Sequence, residues 1–152
     1  MKNSTKCILT ALSVIAVAVT GSIFTYIGQQ WYGTLDNPSQ WPPNYLFPIA
    51  WSVIYLLTFV TLCNIANKNE GQKAVFVTAA VNGVLNVVWC LTFFTLRQIF
   101  PALAVILVNL TASVLLVLQV RRNGKLWFYV MLIYPVWITL ATALNGAIWI
   151  LN

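Results

Sequence analysis

The chain has 152 residues, of which 61% are hydrophobic and 7% are charged, with a mean hydropathy of +0.85. About a quarter of the residues in a soluble domain are charged, so a water-soluble globular fold is excluded. Because the chain contains no His and only two acidic residues, a His-based hydrolase and a His-ligated metal site are also excluded. The net charge of +6 is better explained by topology signals beside membrane spans than by nucleic acid binding.

Five charge-free stretches divide the chain, and each can hold the roughly 20 apolar residues that cross a bilayer. They predict an all-α integral membrane protein, a five-transmembrane-helix bundle that forms a single domain over residues 1–152. The predicted helices span about 7–28, 45–67, 74–96, 100–120 and 126–150.

The first predicted helix has an alternative interpretation as a signal peptide. Lys2 and Lys6 precede an apolar run that contains a small-x-small cleavage pattern at Ala16 and Ala18. The apolar run continues to Ile27, which is the length of a membrane span. We therefore favour a retained transmembrane helix.

Basic residues are distributed unequally between the two sides of the predicted bundle. Arg97 is the one basic residue on the side of the C-terminus, and seven lie on the side of the N-terminus. This distribution predicts an N-terminus inside the cytoplasm and a C-terminus outside. The seven are Lys2, Lys6, Lys68, Lys73, Arg121, Arg122 and Lys125.

The three cysteines have neither CxxC spacing nor the spacing of metal ligands, and all fall in or beside predicted spans. We expect Cys7, Cys63 and Cys90 to be reduced residues of the core. No charged residue falls inside a predicted span, which argues against a pump that works through a buried carboxylate.

The long predicted first loop, residues 29–44, is mostly uncharged and rich in Trp, Tyr, Pro and Gly. Such a loop is either a lid over a functional site or an interfacial aromatic belt, and its composition favours neither.

A pocket beneath this loop is predicted from depth in the membrane. Helical rise places Trp51, Trp89 and Asn145 at one level, roughly 10 Å below the outer ends of their helices. Because unpaired amide and indole groups are costly in hydrocarbon, the faces that carry them should turn inward. Hydrogen bonding between helices is the alternative role for each Asn. The three faces hold Phe47, Trp51 and Tyr55; Asn82, Asn86, Trp89 and Phe93; and Trp137, Ala141 and Asn145.

Other residues indicate local features of the helices. Trp127 and Trp149 lie near helix ends and are predicted to be interface anchors, whereas Trp137 falls at mid-membrane. Pro135 is expected to kink the fifth span. Pairs of small residues four apart permit close helix contact within or between subunits, and they occur at Ala79 and Gly83, at Thr142 and Gly146, and along Thr139, Ala143 and Ala147.

Three blocks of sequence resemble the signatures of the tryptophan-rich sensory protein and mitochondrial translocator protein family, also called peripheral benzodiazepine receptors. The blocks are WPPNYLFPIAWSVIY at 41–55, NVVWCLTFF at 86–94 and YPVWITLATALNGAIW at 134–149. The resemblance extends from about residue 26 to the end, with five helices in the expected order.

The resemblance implies a five-helix bundle, often a homodimer, with a cavity below the first loop. Family ligands are porphyrins, sterols and drug-like molecules of the isoquinoline-carboxamide and benzodiazepine types. Trp51 and Trp137 match two tryptophans implicated in porphyrin degradation by some members, and they are the candidate catalytic residues if the protein is an enzyme. The candidate ligand-binding residues are Tyr32, Trp41, Pro42, Phe47, Trp51, Tyr55, Asn86, Trp89, Phe93, Trp137, Ala141 and Asn145.

The chain also departs from the family pattern. Tyr45 replaces a usual Trp, and Cys90 stands where Ser is frequent. Gly146 and Ile150 occupy the places of the Tyr and the basic residue in a proposed cholesterol pattern, which lowers the expectation of strong sterol binding there.

These observations favour a sensor or receptor that binds a tetrapyrrole, because an aromatic pocket with a few amides offers stacking and orientation without an acid or base. The alternatives are a light- and oxygen-dependent porphyrin-degrading enzyme and a transporter of porphyrin or sterol. We expect protoporphyrin IX or a related tetrapyrrole as ligand, no required cofactor, no metal site and no nucleic acid partner. The expected surroundings are the lipid bilayer of a bacterial cytoplasmic membrane and a second copy of the chain.

Overall fold

The computed structural model describes residues 3–38, 42–68 and 72–152, and within these ranges it contains helices and no strand. Five helical stretches are long and apolar enough to cross a membrane, which confirms the predicted all-α five-helix membrane fold. They cover Thr5–Tyr32, Leu46–Asn67, Lys73–Thr95, Ile99–Asn123 and Lys125–Leu151.

The individual helices are α1 Asn3–Tyr32, α2 Leu46–Lys68, α3 Lys73–Cys90, α4 Ile99–Val120, α5 Lys125–Met131 and α6 Ile133–Leu151. A π-helical turn continues α3 over Leu91–Thr95, and a 3₁₀ turn follows α4 over Arg121–Asn123. The first helix is longer than predicted and includes Tyr32, which the sequence had placed in the loop. Its last turn closes at Gly33, whose N–H donates to the Gln29 carbonyl at 3.1 Å.

The fifth span is divided between α5 and α6, with the break at Leu132. Pro135 has no N–H and therefore cannot donate to the carbonyl of Met131 one turn earlier. The sequence predicts a kink beside this proline, and the structure has an interruption of the helix three residues before it.

The helices form a closed ring in the order α1, α2, α5–α6, α4 and α3, as shown by which helices touch. Helix α4 is the most buried of the five spans and α1 is the least buried. The buried positions of α4 recur every three or four residues, so that one stripe faces the interior. This stripe includes Ala102, Ile106, Asn109, Ser113, Leu116 and Val120.

Helices α1 and α3 pack at backbone distance. A Cβ atom on Gly28 would overlap the carbonyl of Phe94 in the π-helical turn, and a Cβ on Gly83 would lie 2.9 Å from Val17 Cγ2. The Thr95 hydroxyl also donates to the carbonyl of Phe24 at 3.1 Å. Gly83 therefore allows close packing of α3 against α1 within one chain.

The predicted homodimer stays a prediction. On α6, Thr139 and Ala143 are exposed, so part of the small-residue stripe remains on the outer surface of the described bundle.

A disulfide joins Cys7 of α1 to Cys63 of α2, with 5.0 Å between their Cα atoms. The prediction that all three cysteines are reduced is therefore wrong for these two. Packing of α1 against α2 brings together residues 56 positions apart, and no local spacing signals such a pair. Cys90 is free, as predicted.

We predict that Gly28→Val destabilises the bundle by about 1–3 kcal/mol, because the added side chain needs space that the Phe94 backbone occupies. Gly33→Ala is the matched control, since a Cβ there lies 3.4 Å from its nearest neighbour, the Gln30 carbonyl. Thermal unfolding of both variants in one detergent gives the comparison. Equal unfolding temperatures would contradict the close contact.

Candidate functional site

A chain of hydrogen-bonded polar side chains crosses the interior of the bundle. The Asn82 amide donates to Asn109 Oδ1 at 2.9 Å, and the Asn109 amide donates to Asn86 Oδ1 at 2.6 Å. The Asn86 amide in turn donates to the Tyr134 hydroxyl. All four side chains are buried, and because hydrocarbon supplies no water, their partners lie within the protein.

This polar chain connects α3, α4 and α6. Asn86 is a predicted ligand-binding residue, yet both its amide nitrogen and its amide oxygen are engaged by protein groups. These bonds are of the kind that the sequence left open as the alternative role for each Asn, hydrogen bonding between helices, and ligand binding by Asn86 stays a prediction. Sequence reasoning missed Asn109, although an Asn within an otherwise apolar span is a signal that could have identified it.

The side chains of Trp89 and Asn145 contact each other, in agreement with the equal depths predicted for the two residues. The Trp89 indole Nε1 donates to Asn145 Oδ1 at 3.1 Å, and the Asn145 amide donates to the Ile99 carbonyl at 3.0 Å. These bonds connect α3, α6 and the start of α4. Because the indole N–H is already paired, Trp89 offers a ligand its ring rather than a donor.

The first of two aromatic groups lies where the end of α1 meets the end of α3, and we call it the outer aromatic cluster. Phe93 is its centre, with ring centroids 5.7 Å from Trp31 and 6.1 Å from Tyr32. Trp89 stacks on Phe93 at 5.6 Å, and Phe94 contacts it edge-on at 4.9 Å. Three predicted site residues, Tyr32, Trp89 and Phe93, are thus brought together.

The second group, the α2–α6 aromatic cluster, contains Phe47, Trp51, Tyr55, Tyr134 and Trp137. Phe47 contacts Trp137 edge-on with centroids 5.6 Å apart. Trp51 stacks on Tyr55 at 5.5 Å and meets Tyr134 edge-on at 6.4 Å. The Trp137 indole nitrogen is buried and has no hydrogen-bond partner in the described part of the chain.

The remaining predicted site residues occupy different positions. Ala141 is buried on α6, one turn from both Trp137 and Asn145. Pro42 is half-buried in the first loop. Trp41 lies outside the described residues.

The C-terminus is attached to the first loop, a contact that sequence reasoning missed. The Asp36 N–H donates to Asn152 Oδ1, and the Asn152 amide donates to the Asp36 carbonyl, each at 3.0 Å. The beginning of the loop is therefore held against the end of α6.

A cavity of about 510 Å³ lies between α1, α2 and α3, and we call it the N-terminal cavity. Lys6, Gln72 and Lys73 line one end, and Tyr55, Asn86 and Tyr134 line the deep end. It occupies the half of the bundle opposite the first loop, whereas depth predicted a pocket beneath that loop. Of the predicted site residues, Tyr55 and Asn86 line it. The depth of a residue along its helix does not show which helices enclose a cavity.

The sequence matches the model of the TspO/MBR family over residues 9–150. The chain belongs to the TspO/MBR family. It is 34% identical to protein CrtK of Rhodobacter capsulatus, over 95% of this chain and 94% of that protein. It is also 34% identical to the tryptophan-rich protein TspO of Archaeoglobus fulgidus, over 99% of each. A tryptophan-rich sensory protein of Cereibacter sphaeroides is 30% identical over 86% of this chain and 80% of its own length.

These matches confirm the resemblance that the three sequence blocks carried. Together with the five apolar spans they make this TspO/MBR family member an integral membrane protein.

Proposed function

We propose that this protein is a membrane receptor for a flat tetrapyrrole such as protoporphyrin IX, held at the α2–α6 aromatic cluster. The observation that carries the proposal is the buried Trp137 indole N–H, which has no partner among the described residues. Leaving a buried donor unpaired costs about 1–3 kcal/mol. A carbonyl or carboxylate group of a ligand would supply the missing acceptor.

The surrounding rings support a planar ligand. Phe47 and Trp51 are both half-buried, so part of each ring is exposed at the edge of the packed core. Flat conjugated molecules stack on such faces. The cluster contains no carboxylate, lysine or imidazole, which favours binding over acid–base chemistry. One relative carries the name tryptophan-rich sensory protein, in agreement with a receptor role.

We predict that Trp51→Phe and Trp137→Phe each weaken protoporphyrin binding by up to about thirtyfold, because stacking area or a donor is lost. Trp127→Phe and Trp149→Phe are the controls, since both were predicted to be interface anchors. Absorbance titration of the purified protein in the dark measures the four affinities. Equal losses at all four positions would contradict a site at this cluster.

The same titration under illumination separates the alternative functions. A defined product that forms in light and oxygen, and is lost when Trp51 and Trp137 are both replaced by Phe, would assign a porphyrin-degrading enzyme. Flux of porphyrin or sterol through sealed vesicles would assign a transporter. Reversible binding with neither product nor flux supports the receptor.

We also propose that the N-terminus lies in the cytoplasm and the C-terminus outside, in a cytoplasmic membrane. Seven of the eight basic residues on the N-terminal side support this orientation. The Cys7–Cys63 disulfide then lies towards the cytoplasmic end of the bundle, where thiols are ordinarily kept reduced. The reverse orientation would place the disulfide towards an oxidising compartment.

Reporter fusions after Asn152 test the orientation. We predict that alkaline phosphatase fused there is active and that a cytoplasmic fluorescent protein fused there is dark. The opposite pair of results would show that the disulfide, and not the distribution of basic residues, indicates the true topology.

A further inference from the structure

We propose that the N-terminal cavity binds an elongated apolar carboxylic acid, with the chemistry of a free fatty acid. This site is distinct from the one proposed for the tetrapyrrole, although Tyr55 and Tyr134 of the α2–α6 aromatic cluster also line the cavity. The cavity extends along α1 from Lys6 to Val17, a helical rise of about 16 Å. Its volume of about 510 Å³ lies within the range of sites for one small molecule. A cavity of this length and volume suits a single acyl chain better than the two chains of a phospholipid.

The cavity walls distinguish an acyl chain from a tetrapyrrole. Along α1 and α3 the lining is mostly small or aliphatic, including Val14, Val17, Ala79 and Gly83. Gly83 allows Val17 to approach so closely that a Cβ atom at this glycine would meet it at 2.9 Å. A flexible chain can follow such a wall by dispersion contacts, whereas a rigid macrocycle needs aromatic faces for stacking. The aromatic residues among those that line the cavity are Tyr55, Phe76 and Tyr134.

The mouth of the cavity is complementary to a carboxylate. Lys6 and Lys73 both line it, and no acidic side chain of the described residues does. The Lys6 ammonium donates to the Ala66 carbonyl at 3.2 Å, and its other two N–H groups have no partner among the described residues. The amide of Gln72 lies at the same end.

The disulfide contributes to the shape of this mouth. Cys7 follows the lining residue Lys6 directly, and Cys63 follows the lining residue Leu62. The bond therefore holds the α1 and α2 walls together beside Lys6.

The deep end separates the cavity from the proposed tetrapyrrole site. Asn86 and Tyr134 are hydrogen-bonded to each other, so these two groups do not require a polar partner from a ligand. The Tyr55 ring lines the cavity and stacks on Trp51, which does not line it. An apolar chain end at this position would thus lie on the opposite side of Tyr55 from Trp51.

Binding of radiolabelled palmitate to the full-length protein in neutral-lipid nanodiscs tests the proposal, with empty nanodiscs as background. We expect saturable binding of one palmitate per chain and binding of hexadecanol, the alcohol of equal chain length, at least about tenfold weaker. Lys6→Gln and Lys73→Gln should each weaken palmitate binding about fivefold. Lys125→Gln, at the same end of the bundle but outside the cavity lining, should leave it unchanged.

A second pair of variants tests the location. Ala79→Phe places a ring in the cavity and should abolish palmitate binding, whereas Val81→Phe adds the same ring on the outer face of α3 and should not. Retained protoporphyrin binding by Ala79→Phe shows that this variant is folded.

Several results would overturn the proposal. The first two are the absence of saturable palmitate binding and binding of hexadecanol as tight as that of palmitate. The third is an equal loss of palmitate affinity in Lys125→Gln, Lys6→Gln and Lys73→Gln. The fourth is displacement of palmitate by protoporphyrin. Loss of protoporphyrin binding in the Trp51 or Trp137 variants with palmitate binding intact would support two separate sites.

Discussion

Polar side chains inside a membrane bundle must find their partners within the protein, and the rest of this structure depends on how four of them do so. Four buried side chains form one continuous chain of hydrogen bonds across three helices, in the order Asn82, Asn109, Asn86 and Tyr134. Helix association in lipid has no hydrophobic driving force of the aqueous kind, so such bonds and close packing set which helices are neighbours. The polar chain fixes α3 against α4 and α6, and the backbone contact at Gly28 fixes α1 against α3.

This arrangement divides the interior into two regions of different chemistry. On the side of the first loop, rings from α1, α2, α3 and α6 form two aromatic clusters. The indole N–H of Trp137 has no partner there among the residues that the structure describes. On the other side, small and aliphatic residues enclose a cavity that ends at Lys6 and Lys73. The polar chain and Tyr55 lie between the two regions. We propose a planar ligand for the first region and a chain-like acid for the second.

The fold was largely predictable because a charge inside hydrocarbon is costly, so that charge positions alone marked the five spans. The pairing of Trp89 with Asn145 was also accessible, since depth along a helix follows from the rise per residue. The partners of Asn109, the Cys7–Cys63 disulfide and the cavity were not accessible. Each depends on the order of helices around the ring, which the periodicity of a single helix does not contain.

The most direct test of this account is the stability of Asn109→Leu, which removes the central member of the polar chain and leaves Asn82 and Asn86 without their partner. We expect this substitution to lower the free energy of unfolding in detergent by about 2 kcal/mol and to weaken protoporphyrin binding. Val108→Leu, on the adjacent outward-facing position, is the control and should change neither quantity. Stability of Asn109→Leu within about 0.5 kcal/mol of the original chain, with unchanged binding, would contradict the claim that the polar chain organises the bundle.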